Sequence, residues 1–235
     1  MTTLQDRLQA VQARMVQACV QAGRDAADVR LLAVSKLHPA QAVREVLALG
    51  HGAFGENYVQ EALDKMAVLA DERTAIEWHL IGPLQSNKTR AVAEAFDWVH
   101  SVDRLKIAQR LSDQRPAHLP PLNLCLQVNI SGEASKSGLS PAEVADIAPA
   151  VAALPRVRLR GLMSIPEPLH GLEAQRGPHR ALRLLQEELN RQGLGLDTLS
   201  MGMSDDLEAA IAEGSTMVRV GTAVFGPRVA PAPGT

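Results

Sequence analysis

The sequence is poor in cysteine and in aromatic residues, and it contains no long apolar run. Cys19 and Cys125 are its only cysteines, too few for the disulfide framework of a small secreted domain, so we expect a reducing, cytoplasmic setting. Its apolar stretches are only a few residues long, whereas a membrane-spanning helix needs about 20. The first residues lack the charged segment and apolar run of a secretory signal. We therefore expect neither export nor a membrane segment.

The charge of the chain is nearly balanced. It has 24 lysine plus arginine residues against 26 aspartate plus glutamate residues, a formal net charge of −2. This balance gives no electrostatic reason to expect binding to nucleic acid or to an anionic membrane. Apolar residues make up 46% of the chain, enough to exclude a disordered protein. Only five of the cations are lysines, so each can be considered individually: Lys36, Lys65, Lys88, Lys106 and Lys136.

Short apolar runs alternate with helical stretches along most of the chain. Eight of these runs are nearly continuous, as are the strands of a parallel sheet that is covered on its outer face. Eight βα units favour an α/β fold of the (β/α)8 TIM-barrel type, although periodicity alone leaves a doubly wound open sheet as an alternative. The predicted strands are Leu31–Ser35, Ala53–Asn57, Glu77–Gly82, Trp98–Val102, Leu122–Ile130, Leu159–Ile165, Thr198–Gly202 and Met217–Phe225.

One helical stretch precedes the first predicted strand. Residues 4 to about 22 have the apolar spacing of an amphipathic helix and end at Gly23, which predicts an extra N-terminal helix. No stretch has the composition of a linker, so we expect a single domain over residues 1–235, with a flexible tail at 227–235. Further helices are predicted at Ala40–Leu49, Tyr58–Ala70, Ala181–Asn190 and Asp205–Ala212, and an irregular segment at 166–178.

Lys36 closes the first apolar run, at the strand end where TIM barrels carry their reactive groups. Burial at this point disfavours the ammonium and shifts the amine toward its neutral form. A neutral amine at a barrel mouth can attack a carbonyl carbon and form a Schiff base. The alternative is a lysine that extends from the strand end into solvent. The other four lysines lie in predicted helices or loops, and we interpret them as surface charges.

The last two predicted strands supply features of a phosphate site. Residues 200–206 (Ser-Met-Gly-Met-Ser-Asp-Asp) lead into a helix, with Ser204 as a candidate N-cap. A turn that feeds a helix N terminus presents free backbone N–H groups to an anion, and Gly221 allows backbone amides to approach a ligand closely. The loops after strands seven and eight often form the phosphate site of a TIM barrel. Together with Lys36, they indicate a phosphorylated aldehyde as the ligand.

Five segments between Leu31 and Gly226 form a pattern in one order. They are Ala33-Val-Ser-Lys36, Phe54-Gly-Glu-Asn-Tyr-Val-Gln-Glu61, Trp78-His-Leu-Ile-Gly-Pro-Leu-Gln-Ser-Asn-Lys88, Leu199-Ser-Met-Gly-Met-Ser-Asp-Asp206 and Val218-Arg-Val-Gly-Thr-Ala-Val-Phe-Gly226. Together they resemble the pyridoxal phosphate homeostasis protein family, also called the YggS/PROSC family. That family is similar to the N-terminal barrel domain of alanine racemase, a fold type III protein that depends on pyridoxal 5′-phosphate (PLP). The resemblance implies a single PLP-binding domain over residues 1–235.

The resemblance implies that Lys36 carries PLP as an internal aldimine. It also implies that Arg219 faces the pyridine nitrogen, where a protonated arginine donates a hydrogen bond, keeps the nitrogen unprotonated and weakens the ring as an electron sink. Asn57 and His79, at the ends of the second and third predicted strands, are expected to line the ring. For His79, a hydrogen-bonded histidine inside the barrel is the alternative. By the same resemblance, the phosphate-binding positions are Ser200, Ser204, Gly221 and Thr222.

A carrier of PLP and an amino-acid racemase are the two main functional hypotheses. Racemisation needs an acid/base group on each face of the substrate. In alanine racemases a lysine serves one face, and a tyrosine from the C-terminal domain of a partner subunit serves the other. This chain ends just after the eighth predicted strand, and its only tyrosine is Tyr58, so we expect a carrier without catalytic residues. A Schiff-base aldolase would explain Lys36 but not Arg219 together with the phosphate turn.

The expected partners are PLP and the apo-enzymes that would receive it, with no nucleic acid and no membrane. We expect a monomer, because the dimerising domain of the racemases is not part of this sequence. Lys136 follows the fifth predicted strand, and three interpretations remain open: a guide for an anionic ligand, a second PLP site, or part of a solvated loop. The seven histidines show no metal-ligand spacing, so no metal site is predicted.

Overall fold

The computed structural model describes residues 2–132 and 137–227. Within these ranges eight parallel strands close into a barrel, in which each strand pairs with the next and the last pairs with the first. The closed order confirms the predicted (β/α)8 TIM barrel and excludes the open sheet. The strands are β1 (Arg30–Val34), β2 (Ala53–Glu56), β3 (Glu77–Leu80), β4 (Trp98–Val102), β5 (Leu122–Val128), β6 (Val157–Ser164), β7 (Thr198–Ser200) and β8 (Met217–Val220).

Helices cover the outside of the barrel, and the first of them precedes β1, as predicted. Nine α-helices lie in the described ranges: α1 (Leu4–Gln21), α2 (Ala40–Ala48), α3 (Val59–Val68), α4 (Thr89–Ala95), α5 (Leu105–Gln114), α6 (Pro141–Ala152), α7 (Leu172–Arg191), α8 (Leu207–Ala212) and α9 (Thr222–Phe225). Two side chains join α1 to the last two helices: Arg7 Nε donates to the carbonyl of Val224 at 2.9 Å, and Arg14 forms an ion pair with Glu208. None of these helices is long and apolar enough to span a membrane.

Most boundaries differ from the sequence prediction by one or two residues, and two differ by more. The run predicted as a strand over Met217–Phe225 is extended only to Val220, because Gly221 adopts φ −107° and ψ −86° and the chain then enters α9. The segment predicted as irregular over 166–178 is partly helical, because α7 begins at Leu172. The irregular part is therefore confined to the residues that directly follow β6.

The predicted N-cap role of Ser204 is also wrong. The helix after the turn, α8, begins at Leu207, and Asp206 occupies its N-cap position. The Asp206 carboxylate instead closes the turn, since its Oδ1 accepts a hydrogen bond from the backbone N–H of Met203 at 2.7 Å. Ser204 thus lies within the turn, where its hydroxyl is not committed to capping.

Lys65 is buried beside the end of β1, which corrects its interpretation as a surface charge. Its side chain is 6% exposed, and its ammonium donates three hydrogen bonds, each of 2.7 Å. The acceptors are the backbone carbonyl of Ser35 and the carboxylates of Glu56 and Glu61. An ammonium has three N–H donors, so this lysine is fully satisfied and joins β1, β2 and α3. We call these four residues the Lys65 cluster.

The Lys65 cluster holds the backbone on both sides of Lys36. Before Lys36, the Ser35 carbonyl accepts from Lys65, and the Ser35 hydroxyl donates to Glu56 at 2.6 Å. After Lys36, the backbone N–H of Leu37 donates to Glu61. Leu37 has φ 62°, a left-handed conformation that is unfavourable for a residue with a side chain. The cluster therefore imposes the turn from which the Lys36 side chain leaves the barrel rim.

Two histidines lie inside the barrel. His79 on β3 and His100 on β4 are fully buried, and their rings are hydrogen bonded to each other at 2.9 Å. Burial lowers the pKa of His79, although Glu77 opposes the change, and burial lowers the pKa of His100 well below its ordinary value. Both imidazoles are therefore neutral in the folded protein near pH 7.

Replacing Lys65 by methionine is expected to lower the free energy of unfolding by about 3 to 5 kcal/mol, because Glu56 then stays buried without its partner. Urea denaturation of the variant and the wild type measures this loss. Lys106→Met, at an exposed position of α5, is the control and should change stability by less than about 0.5 kcal/mol. A loss below about 1 kcal/mol for Lys65→Met would contradict the role given to the cluster.

Stability is expected to fall as the pH drops below about 6.5. An unfolded imidazole titrates near pH 6.5, whereas His79 and His100 resist protonation in the folded state, so acid favours the unfolded chain. Each histidine contributes up to about 1.4 kcal/mol per pH unit below that point. Urea midpoints measured between pH 7.5 and pH 5 test this, and His100→Gln should flatten the slope. An identical slope in the variant would contradict the assignment.

Candidate functional site

A cavity of about 410 Å³ opens at the C-terminal ends of the strands. Parallel strands bring these ends to one rim of the barrel, which is why residues far apart in sequence meet there. Of the eight predicted site residues, six line the cavity: Lys36, Asn57, Ser204, Arg219, Gly221 and Thr222. The other wall residues are mostly apolar: Val34, His38, Ile81, Ile165, Met203 and Asp205.

Arg219 on β8 forms the floor of the cavity and is 4% exposed. Its Nη1 donates to the carbonyl and hydroxyl of Ser200, and its Nη2 donates to the carbonyl of Ser164 at 2.8 Å. Burial lowers the pKa of Arg219 to about 10, so the guanidinium remains a cation at neutral pH. The site therefore presents one fixed positive charge that can only donate hydrogen bonds.

Asn57 follows β2 and reaches the cavity with an unused acceptor. Its side-chain Oδ1 is buried and has no hydrogen-bond partner within the described part of the chain. The backbone of Asn57 is fixed by Gly82, where an added Cβ would lie 2.1 Å from the Asn57 carbonyl oxygen. A buried polar atom without a partner is costly, so this oxygen is suited to a donor supplied by a ligand or by water.

The turn after β7 approaches the cavity because of one glycine. Gly202 has φ 95°, and a Cβ at this position would lie 2.5 Å from the Cβ of Ala210. Helix α1 holds the same turn from outside, since Arg14 Nη1 donates to the carbonyl of Ser204 at 2.7 Å. Ser204 is thereby placed at the cavity wall, which Thr222 also lines.

His79 and Ser200 do not line the cavity. The ring of His79 lies inside the barrel between Glu77 and His100, the arrangement of the hydrogen-bonded barrel histidine that was the alternative. The Ser200 hydroxyl is hydrogen bonded to Arg219 and to His100, and its role at the phosphate stays a prediction. The inward direction of both side chains separates them from the rim.

The cavity also contains His38 and Asp205, which the sequence analysis did not name as site residues. His38 is buried, and its ring stacks on Phe225 with 5.0 Å between the centroids. Its position two residues after Lys36 could have identified it from the sequence as a residue near the site. Tyr58, by contrast, is 54% exposed at the start of α3 and is not part of the cavity wall.

The donor set of the cavity fits a phosphorylated pyridine aldehyde. It offers an amine for the aldehyde, a cation for a ring nitrogen, two hydroxyls and the amides beside Gly221 for a phosphate, and apolar walls for the ring. A metal ion has no comparable site, because no group of His, Cys, Asp and Glu side chains within 2–132 and 137–227 could hold one. Lys136 lies outside the described residues, so its predicted roles stay predictions.

Sequence comparison shows that this chain is similar to proteins of a known family. The model of the family described as "Alanine racemase, N-terminal domain" matches residues 7–229. A pyridoxal phosphate homeostasis protein of Pseudomonas aeruginosa is 63% identical over 228 residues, which is 97% of this chain and 97% of the relative. A protein of the same name from Escherichia coli K12 is 52% identical over 229 residues, covering 97% and 98% of the two chains.

Solved structures agree with this placement. PipY of Synechococcus elongatus, with PLP bound, is 39% identical with a TM-score of 0.83, covering 95% of this chain and all (100%) of that chain. Alanine racemase of Corynebacterium glutamicum, at 19% identity and a TM-score of 0.65, shares the fold over 97% of this chain and 63% of its own length. The chain therefore belongs to the alanine racemase N-terminal domain family and, within it, to the pyridoxal phosphate homeostasis proteins.

Proposed function

We propose that this protein binds PLP in the cavity at the C-terminal barrel rim and serves intracellular PLP homeostasis by holding and delivering the cofactor. The observation that carries the proposal is that Lys36 and Arg219 line one cavity with Ser204 and Thr222. The PLP bound by PipY, and the name shared by the relatives, support the same ligand.

Lys36 holds the cofactor in this proposal. Its amine and the aldehyde of PLP condense to a Schiff base with the loss of one water molecule. The Lys65 cluster fixes the backbone before and after Lys36, so little backbone freedom is lost when the linkage forms. The bound cofactor would supply an electron-withdrawing ring, and the remaining residues determine how strongly that ring withdraws electrons.

Arg219 is proposed to donate a hydrogen bond to the pyridine nitrogen. Two of its nitrogens are already committed to Ser200 on β7 and Ser164 on β6, which fixes the plane of the guanidinium. A permanent cation at this place disfavours protonation of the ring nitrogen, because the two positive charges would repel each other. The ring then withdraws electrons weakly, which suits binding better than carbanion chemistry.

The phosphate is proposed to lie between Ser204 and the start of α9. The hydroxyls of Ser204 and Thr222 can donate to phosphate oxygens, and the first N–H groups of α9 have no acceptor within the helix. Gly221 permits close approach here, since its missing Cβ leaves room beside the Val34 carbonyl. Asn57 Oδ1 is the acceptor left for a donor on the ring.

We propose a carrier rather than a racemase because the cavity offers a lysine but no tyrosine for the opposite face. The only tyrosine of the sequence, Tyr58, is exposed outside the cavity. Without a second acid/base group, proton transfer on that face is slower by orders of magnitude. A Schiff-base aldolase would explain Lys36 but not the Arg219 cation together with the turn at residues 200–206. We also propose that the protein acts as a monomer in the cytoplasm, where its buried cysteines remain thiols.

The Schiff base is tested with wild type and Lys36→Ala, each incubated with PLP and treated with borohydride. The wild type should show the absorption band of a Schiff base and, after reduction, a stable adduct on the peptide that contains residue 36. The variant should show neither. Lys106→Ala, on the exposed side of α5, serves as the control and should behave as the wild type. An adduct of equal yield in Lys36→Ala would refute the role of Lys36.

Delivery is tested by mixing the PLP-loaded protein with an apo-enzyme in the presence of a scavenger of free PLP. We expect recovery of apo-enzyme activity with the wild type and none with Lys36→Ala. The same preparation should exchange the Cα proton of alanine for deuterium at least about 100-fold more slowly than an alanine racemase. Rapid exchange without delivery would favour the racemase, and neither activity would refute the carrier.

A further inference from the structure

A continuous chain of hydrogen bonds crosses the barrel interior beneath the cavity. Arg219 Nη1 is 2.8 Å from Ser200 Oγ, which is 2.8 Å from His100 Nδ1. His100 Nε2 is 2.9 Å from His79 Nδ1, and His79 Nε2 is 2.7 Å from the Glu77 carboxylate. We call these five residues the interior relay. It joins β8 and β7 to β4 and β3, across the barrel.

The two ends of the interior relay carry opposite charges. Arg219 is a cation that can only donate, as described above. Glu77 has a pKa lowered to about 2, because its interactions with His79 and Arg30 outweigh the effect of its burial, so it is a carboxylate that can only accept. Glu77 is the first residue of β3, at the opposite face of the barrel from Lys36. The three groups between the ends are neutral.

These charges determine the direction of every hydrogen bond in the interior relay. Since Glu77 only accepts, His79 carries its proton on Nε2, and its bare Nδ1 accepts from Nε2–H of His100. The Nδ1 of His100 is then bare as well and accepts the hydroxyl proton of Ser200. Ser200 Oγ in turn accepts from Arg219. All four bonds run from the cation to the carboxylate, and the Ser200 hydroxyl and the N–H of each histidine donate along the chain.

We propose that the interior relay positions the Arg219 guanidinium toward the cofactor's ring nitrogen, an inference that rests on the proposed function. Hydrogen bonds aligned in one direction polarise and strengthen one another, so the relay favours the cationic form and one orientation of Arg219. His100 and Glu77 are thus positioning residues that touch neither cofactor nor substrate. Trp98 supports the arrangement by stacking on His79, with 5.3 Å between the ring centroids.

The first test reads the tautomers in the cofactor-free protein. Nitrogen-15 NMR of histidine-labelled protein at pH 7.5 should show His79 and His100 as neutral rings with the proton on Nε2. Assignment uses His79→Gln and His100→Gln. A charged ring, or a proton on Nδ1 of either histidine, would overturn the relay, and this result does not depend on whether PLP binds.

The second test breaks the relay in its middle. A leucine in His100→Leu can neither accept from Ser200 nor donate to His79, whereas the amide in His100→Gln can do both. We expect about tenfold weaker PLP binding for leucine, the size of the net contribution of one hydrogen bond, and a changed ratio of the absorption bands of the bound cofactor. Glutamine should stay within about threefold of wild type. His51→Leu, partly buried outside the relay, is the control.

The third test acts at the far end, where a purely local structural effect would not reach the cofactor. Glu77→Ala should change the band ratio of bound PLP, whereas Asp28→Ala, an exposed acid at the same face of the barrel, should leave it unchanged. Normal PLP binding with unchanged bands in both His100→Leu and Glu77→Ala would overturn the relay alone. Failure of the wild type to bind PLP would refute the proposed function instead.

Discussion

A guanidinium cation buried in the interior of a closed barrel is the constraint on which the site depends. Removing such a charge from water costs several kcal/mol unless acceptors surround it. The backbone of a closed barrel is already paired between strands, so acceptors are found only where strands end. Arg219 uses the end carbonyls of β6 and β7, at Ser164 and Ser200. The positions of these two carbonyl oxygens therefore determine where the Arg219 guanidinium lies at the floor of the cavity.

The rest of the site is arranged between two buried polar groups that are held independently. On one side the Lys65 cluster joins β1, β2 and α3, and on the other Arg219 joins β6, β7 and β8. Each group is satisfied by its own strands, so neither needs a ligand in order to be ordered. The cavity between them is therefore largely preformed, and binding requires little reorganisation of the backbone.

The sequence allowed the barrel and the rim residues to be predicted. Nearly continuous apolar strands indicate a parallel sheet covered by helices, and residues at the C-terminal strand ends form the site of a TIM barrel. Lys36 could be identified on that basis, whereas the role of Arg219 was implied only by the family resemblance. The inward side chains could not, since both faces of a barrel strand are buried and the apolar pattern does not distinguish them. His79 was therefore placed at the rim, although its partner His100 lies inside on the next strand. Lys65 was misjudged for a related reason: its acceptors at Ser35 and Glu56 lie outside its helix, so the helical pattern does not reveal them.

The left-handed turn at Leu37 depends on residues other than Leu37 itself. The conformation costs about 1 kcal/mol for a residue other than glycine, and nothing in the leucine side chain, which is half exposed, favours it. The turn is imposed by Glu61 and the rest of the Lys65 cluster rather than by the residue that adopts it. Position 37 is thus free to vary in side chain, and selection on this turn is expected to act on the charged residues of a neighbouring helix and strand. In an alignment of relatives, the residues that keep the backbone around Lys36 in place would therefore be those at positions 56, 61 and 65, about twenty to thirty residues after the lysine.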